Sequence, residues 1–295
     1  MRVLILGCGY VGIALGRHLQ AQGHEVFGLR RSVAGAAELA SHGLPSLLGD
    51  VTDPSSLDAL PRDFDWVANT VSSSRGDAEV YRQVYQQGTR HVLQWLRQTR
   101  CHRYVYTSST SVYGQTDGSV VTEDAPTEPT SETAQVLVAT ERDLQAAAAT
   151  LPLAIGIFRV TGLYGPQRGH LYHQLLRGEA RLQGDGSRLI NMIHRDDAAA
   201  ALASFLTGST AKGGCRVYNA TDDAPVTQRE FFTWLSHRLN LPFPGPASAA
   251  DGTLSKRGQT QKRVSNQRLR TELAWIPRYP TFREGYETLI SGPQS

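Results

Sequence analysis

Gly7, Gly9 and Gly12 stand in GxGxxG spacing, directly after the apolar run Val3-Leu4-Ile5-Leu6 and at the start of a helical pattern. A strand before and a helix after are the context in which this spacing carries chemistry. Gly7 permits a tight turn, Gly9 lets a pyrophosphate approach the backbone, and Gly12 lets helix and strand pack closely. Tyr10 and Val11 open the helix, whose N–H groups and positive dipole end attract phosphate. The next strand pattern ends Gly28-Leu29-Arg30-Arg31-Ser32, with no acidic residue in that stretch. A site for a free ribose 2′-hydroxyl usually has Asp or Glu there; here two guanidiniums stand where a 2′-phosphate would sit. NADP is the expected cofactor and NAD the less favoured one, the alternative being that Arg30 and Arg31 are solvated surface.

Other groups point to less. Nine histidines are scattered, and His170 with His173 has no third ligand nearby, so no metal site is expected. Asp196 and Asp197 are adjacent on a helical pattern and do not face one another, which disfavours a paired-carboxylate mechanism. Cys8, Cys101 and Cys215 have neither CxxC spacing nor an even count, which points to a reducing, cytoplasmic setting. The stretch from Lys256 to Arg270 has six basic and no acidic residues. It reads either as a solvated face or as an electropositive rim attracting an anionic small-molecule substrate.

These groups need a scaffold, and the chain supplies a periodic one. Short β-branched runs alternate with amphipathic stretches, the pattern of a parallel sheet covered by helices. Strands are expected at Val3–Leu6, Glu25–Leu29, Ser46–Leu48, Trp66–Thr70, Tyr104–Thr107 and Ala154–Phe158. Helices are expected near Val11–Gln22, Ala34–Ser41, Ser55–Leu60, Ala78–Thr99, Ser131–Ala149 and Gln228–Leu239. Right-handed crossovers between six strands give an α/β fold, a Rossmann-type doubly wound parallel sheet. The alternation weakens after Arg159. Residues 1–160 are therefore expected to form the dinucleotide-binding domain, and residues 161–295 a small C-terminal substrate-covering lobe interleaved with the end of the sheet.

Composition closes off other classes. The 295 residues are 40% hydrophobic and 19% charged, with a formal charge of +3. That is too apolar for a disordered chain and too balanced for a polyanion binder. Without an apolar run of about 18 residues, no membrane helix is expected. The run before Gly7 is too short for a signal peptide. Nucleic acid is not an expected partner, because no aromatic platform or reading helix accompanies the basic residues. Of the 30 basic residues only Lys212, Lys256 and Lys262 are lysines, so the first 211 positions hold none.

Several motifs then follow one another: Gly7–Gly12, Leu48-Gly49-Asp50-Val51, Ser108 to Gly114, Leu163-Tyr164-Gly165-Pro166, Ile193-His194-Arg195-Asp196-Asp197 and Val217-Tyr218-Asn219. Their order resembles the extended short-chain dehydrogenase/reductase superfamily, specifically its NAD-dependent epimerase/dehydratase branch, over essentially the whole chain. The resemblance implies that Asp50 and Val51 contact the adenine ring and that Thr70 and Val71 lie along the cofactor. It implies that Ser109 hydrogen-bonds the reacting carbonyl or hydroxyl, that Tyr164-Gly165-Pro166 borders the nicotinamide, and that His194 with Asp197 shapes the lobe. The family's acid/base engine is Tyr-x-x-x-Lys, a phenol whose pKa an adjacent ammonium lowers. Registering the helix at Pro129 to Glu141 on Glu141 puts Thr133 at the Tyr position and Leu137 at the Lys position. The family's frequent helix Asn is replaced by Tyr85.

An atypical member is thus expected. Ser109 is retained, Thr133 can orient an oxygen or a water, and Tyr113, Tyr164 and His194 are candidate proton donors. Three functions fit: an NADP-dependent oxidoreductase acting on a sugar-like or carbonyl substrate, a sugar-nucleotide epimerase or dehydratase, and a non-catalytic NADP-binding sensor.

Overall fold

The computed structural model describes residues 1–73, 77–208, 213–247 and 260–291. Seven strands make its main sheet: β1 (Arg2–Leu6), β2 (Glu25–Arg30), β3 (Ser46–Leu48), β4 (Trp66–Asn69), β5 (Arg103–Ser109), β6 (Ala154–Val160) and β7 (Gly214–Ala220). Their order is β7-β6-β5-β4-β1-β2-β3, and every pairing is parallel. The expected Rossmann-type sheet is therefore present, with one strand more than the six expected. β7 opens Gly214-Cys215-Arg216, with no β-branched residue before Val217.

The helices are α1 (Tyr10–Ala21), α2 (Val33–Ser41), α3 (Pro54–Asp58), α4 (Ala78–Tyr81), α5 (Gly88–Leu96), α6 (Glu132–Ala148), α7 (His170–Leu176), α8 (Arg195–Thr207), α9 (Gln228–Leu239), α10 (Gln267–Leu273) and α11 (Phe282–Ser291). The single helix expected over Ala78–Thr99 is interrupted by a π-helical segment, Arg82–Gln87. Tyr85 lies in that segment, and its hydroxyl accepts the Ser73 amide hydrogen at 3.0 Å. None of the helices among the described residues is long and apolar enough to cross a membrane.

Side-chain alternation divides the core. Val3 and Ile5 of β1 pack under α1, α2 and α8, whereas Leu4 and Leu6 face α3, α5 and α6. A third apolar cluster, with Tyr164, Leu175, Phe231, Phe232, Phe282 and Tyr286, lies under α7, α9 and α11. This lobe is built after residue 160, yet α8 and β7 return to the sheet from the same part of the chain.

Between β6 and α6 lies a buried ion pair. Arg159 and Glu141 are only 4% and 3% exposed. The Arg159 guanidinium donates to both Glu141 carboxylate oxygens, to the Tyr113 hydroxyl and to the Glu123 carbonyl, at 2.7 to 3.2 Å. Ser108 Oγ donates to Glu141 at 2.6 Å, and the Tyr113 hydroxyl donates to Asn219 Oδ1 at 2.7 Å. Arg159→Met would strand the Glu141 carboxylate in the interior, at a cost of about 3–5 kcal/mol. Urea unfolding should show a lower midpoint, and adding Glu141→Leu should recover much of the loss. A single variant as stable as the parent would refute this assignment.

Candidate active site

Strand order reverses between β1 and β4, so the cleft for a ligand lies at their carboxyl ends. Gly7 sits there with φ +65°, and a methyl group on it would lie 2.6 Å from Val71 Cα. Thr70 Oγ1 donates to the Leu6 and Gly7 carbonyls at 3.2 and 3.1 Å, fixing the turn from the β4 side. Gly12 has room for no more, since an added Cβ would lie 2.8 Å from that same Thr70 oxygen. Gly9 is the N-cap of α1 with no side-chain cap, leaving the first-turn N–H groups, from Tyr10 and Val11 onward, to a ligand.

The end of β2 differs from the simple expectation. Arg30 donates to the Cys8 carbonyl at 2.9 Å and to Glu38 at 2.6 Å, so it braces the glycine loop. Arg31 is 71% exposed, with its guanidinium 3.7 Å from the Asp50 carboxylate. Two carboxylates thus approach the guanidiniums, where the local stretch of sequence showed none. Asp50 also accepts from the Thr52 amide and hydroxyl at 2.9 Å. Val51 is buried and packs against Gly88, while its carbonyl bonds His91.

Ser109 ends β5 half-buried, and its Oγ accepts the Ser111 amide hydrogen at 3.2 Å, capping a short 3₁₀ turn, Thr110–Val112. Thr133 is half-buried in the first turn of α6. Leu137 is buried with Val112, Tyr113, Val121 and Val264. The candidate phenols are engaged elsewhere. Tyr164 is 1% exposed, stacked on Tyr286 at 4.5 Å, and its hydroxyl donates to Thr281 O at 3.5 Å. Burial pushes its pKa far above the ordinary phenol range. In this structure Tyr164 packs the lobe.

His194 Nδ1 accepts the Asp196 amide hydrogen at 3.2 Å, and burial keeps this imidazole neutral well below its usual range. Asp197 accepts from the Arg278 and Tyr279 amides at 2.7 and 3.0 Å, tying the start of α8 to the segment before α11. Next to them, Tyr10 Oη and His194 Nε2 are buried without a hydrogen-bond partner among the described residues. Gly165 separates them, since a Cβ there would lie 2.8 Å from the first and 3.2 Å from the second. The bare helix start, the close-approach glycines and the unpartnered Tyr10 hydroxyl all fit a dinucleotide.

The basic stretch is not a free rim where it is described. Arg268 pairs with Asp124 and lies 3.7 Å from Glu123, Arg270 pairs with Asp223 at 2.5 Å, and Arg263 donates to Gly118 O. Lys262 is buried, a feature nothing in the sequence signalled. Lys256 and Arg257 lie outside the described residues. No cluster of metal-ligating side chains occurs among the described residues.

The sequence model of the NAD dependent epimerase/dehydratase family matches residues 3–220. Protein YeeZ of Escherichia coli (strain K12) is 29% identical over 285 residues, covering 95% of this chain and 96% of its own. The 3-diazoavenalumate denitrifying reductase of a Streptomyces species is 26% identical, covering 97% of this chain and 99% of its own. Among solved structures, MoeE5 in complex with UDP-glucose and NAD superposes with a TM-score of 0.82 at 25% identity, covering 98% of this chain and 97% of that one.

Two outcomes follow from the geometry. A Cβ at Gly9 meets the end of the Arg30 side chain at 3.2 Å and the Gly7 carbonyl at an ordinary 3.8 Å, whereas one at Gly7 meets Val71 backbone at 2.6 Å. Gly9→Val should fold with near-parental stability and fail to bind dinucleotide in calorimetry; Gly7→Ala should lose stability. Normal cofactor affinity in Gly9→Val would place the phosphates elsewhere.

The second concerns Asp222, 2% exposed, whose pKa burial raises to about 8 from an ordinary 3.8. The folded state then binds one more proton than the unfolded chain between those values, so stability falls as pH rises across that window. The limiting slope is about 1.4 kcal/mol per pH unit. Asp222→Asn should remove that decline, and parallel stability–pH curves for parent and variant would rule it out.

Proposed function

The chain belongs to the NAD dependent epimerase/dehydratase family, and from that premise we propose that it is an NADP-dependent reductase of a small carbonyl compound. The observation that carries the reading is the shared edge. Ser109 ends β5, the strand beside β4, so its hydroxyl lies at the same carboxyl edge of the sheet as Thr70, Val71 and the glycine turn. When bound, the dinucleotide supplies hydride chemistry. The chain's own residues then hold it, orient the carbonyl and meet the charge that develops on oxygen. Ser109 Oγ is the hydroxyl placed for that oxygen, and Thr133 orients it or a water.

Preference for NADP rests on Arg31, which is exposed at the end of β2, where a 2′-phosphate would displace the distant Asp50 contact. Arg30 is committed to the loop and serves both cofactors. The Streptomyces reductase among the relatives supports reduction over epimerisation, and Thr133 with Leu137 in place of Tyr and Lys argues the same way. The Thr133 and Leu137 pair equally suits a cofactor-binding sensor, the second reading. In the structure compared, MoeE5 holds UDP-glucose, so nucleotide sugars belong in the substrate panel.

Calorimetry should show NADPH binding tighter than NADH by about 1.5–3 kcal/mol, the worth of a charged hydrogen bond. Arg31→Ala should abolish that difference, whereas Arg30→Ala should weaken both cofactors. In NADPH oxidation against carbonyl compounds and nucleotide sugars, Ser109→Ala should lower turnover roughly 10–1000-fold, and Thr133→Val by less. Unchanged turnover in Ser109→Ala would remove Ser109 from the reaction. Tight NADPH binding with no substrate turned over would favour the sensor.

A further inference from the structure

Lys262 is the only lysine within the described residues, in a chain that otherwise uses arginine for nearly every cation. It is 5% exposed. Its ammonium donates to the Tyr113 carbonyl at 2.9 Å, its one side-chain hydrogen bond among the described residues. That carbonyl follows directly on the 3₁₀ turn capped by Ser109. The backbone around Lys262 is pinned between the two halves of the molecule. Gln261 N donates to Gln115 O at 3.0 Å, the Gln261 side chain bonds the Leu189 amide and Ser187 carbonyl, and Asn191 Nδ2 donates to Lys262 O at 3.0 Å. Two residues on, Val264 shares an apolar cluster with Tyr113 and with Leu137, the position at which relatives carry their lysine.

Among the described residues no carboxylate offsets this charge. The charged groups on the elements packed here are Arg159 and Glu141, which pair with each other, Glu123, which accepts the Asn219 amide and faces Arg268, Arg263, which donates to Gly118 O, and Arg188. Among the described residues none forms an ion pair with Lys262. Burying an ammonium against a single neutral acceptor is costly, and a neutral side chain could fill the same space without that cost. An amine there has a use if it meets an oxygen that becomes anionic.

We propose that Lys262 is the proton donor of the site, taking the part that Thr133 and Leu137 of α6 leave unfilled. The inference rests on the reductase reading above. Hydride addition at the carbonyl carbon breaks the C=O π bond and leaves its electron pair on oxygen. That oxygen takes a proton from Nζ, forming the O–H bond, and the neutral amine regains a proton from water. Burial lowers the Lys262 pKa to about 8, which keeps the ammonium charged but willing to give up a proton near neutrality.

The test compares Lys262→Arg, which keeps the charge but cannot release a proton, with Lys262→Met. Both should bind NADPH within threefold of the parent. Turnover of whichever panel substrate the parent reduces should fall roughly 100-fold or more, the usual worth of general acid catalysis. The parent's kcat should decline as pH rises through about 8, and Lys262→Arg should lose that step. Retained turnover with an unchanged pH profile in Lys262→Arg would overturn the proposal. A readout independent of activity uses the parent protein methylated with ¹³C-formaldehyde. One lysine resonance should titrate near pH 8 and be missing from Lys262→Arg. If that resonance titrates above pH 10, the proposal fails even where no substrate is found, whereas a resonance near 8 with no turnover counts against the reductase reading alone.

Discussion

The ion pair between Arg159 and Glu141 constrains more of this molecule than any other contact. Charges this deeply buried are tolerable only when their remaining hydrogen-bonding capacity is filled. Here it is filled from every side: Ser108 from β5, Tyr113 from the loop after it, the Glu123 carbonyl, and through Tyr113 the Asn219 side chain of β7. Burial alone would loosen the proton on Arg159, and the carboxylate beside it more than offsets that. The pair thereby locks α6 and the carboxyl ends of β5, β6 and β7 into one arrangement. Those three strands lie on the same side of the point at which strand order reverses.

The other side is held differently. At β1, β2 and β4 the contacts run from side chains to the main chain of the glycine turn: Thr70 to the Leu6 and Gly7 carbonyls, Arg30 to the Cys8 carbonyl. Such bonds fix a backbone shape, and the one from Arg30 also brings a guanidinium beside Gly9, 3.2 Å from where a Cβ there would lie. A dinucleotide cradle built this way depends on local sequence, while the network around Arg159 depends on tertiary contact.

That distinction explains what could be read before the structure. The glycine turn, its strand and its helix lie within the twenty residues from Arg2 to Ala21, so spacing alone exposes them, and strand alternation exposes most of the sheet. The strand at Gly214–Ala220 escaped because its first half carries glycine and arginine, and it earns its place by pairing with β6. The π segment escaped because a helical apolar period does not register one extra residue in a turn. Arg159 and Glu141 are 18 residues apart and Tyr113 and Asn219 are 106 apart, with no pattern linking them. Lys262 sits in a basic run, and a charge in sequence carries no sign of its burial.

The adjacent serines at the end of β5 show how the two systems meet. Successive residues of a strand face opposite sides of the sheet. Ser108 is 7% exposed and its hydroxyl is spent on Glu141, on the α6 side. Ser109, one residue on, is thereby kept out of that network and caps the next turn with an Oγ that still has its own proton to donate. The same network removes the neighbouring phenol from acid chemistry. Tyr113 gives its hydroxyl proton to Asn219 and accepts from Arg159, and burial raises its pKa. A fold stabilised by this charge pair can retain a serine at the cleft, but it cannot release Tyr113 to act beside it; any proton for that edge of the sheet has to come from a group outside the network.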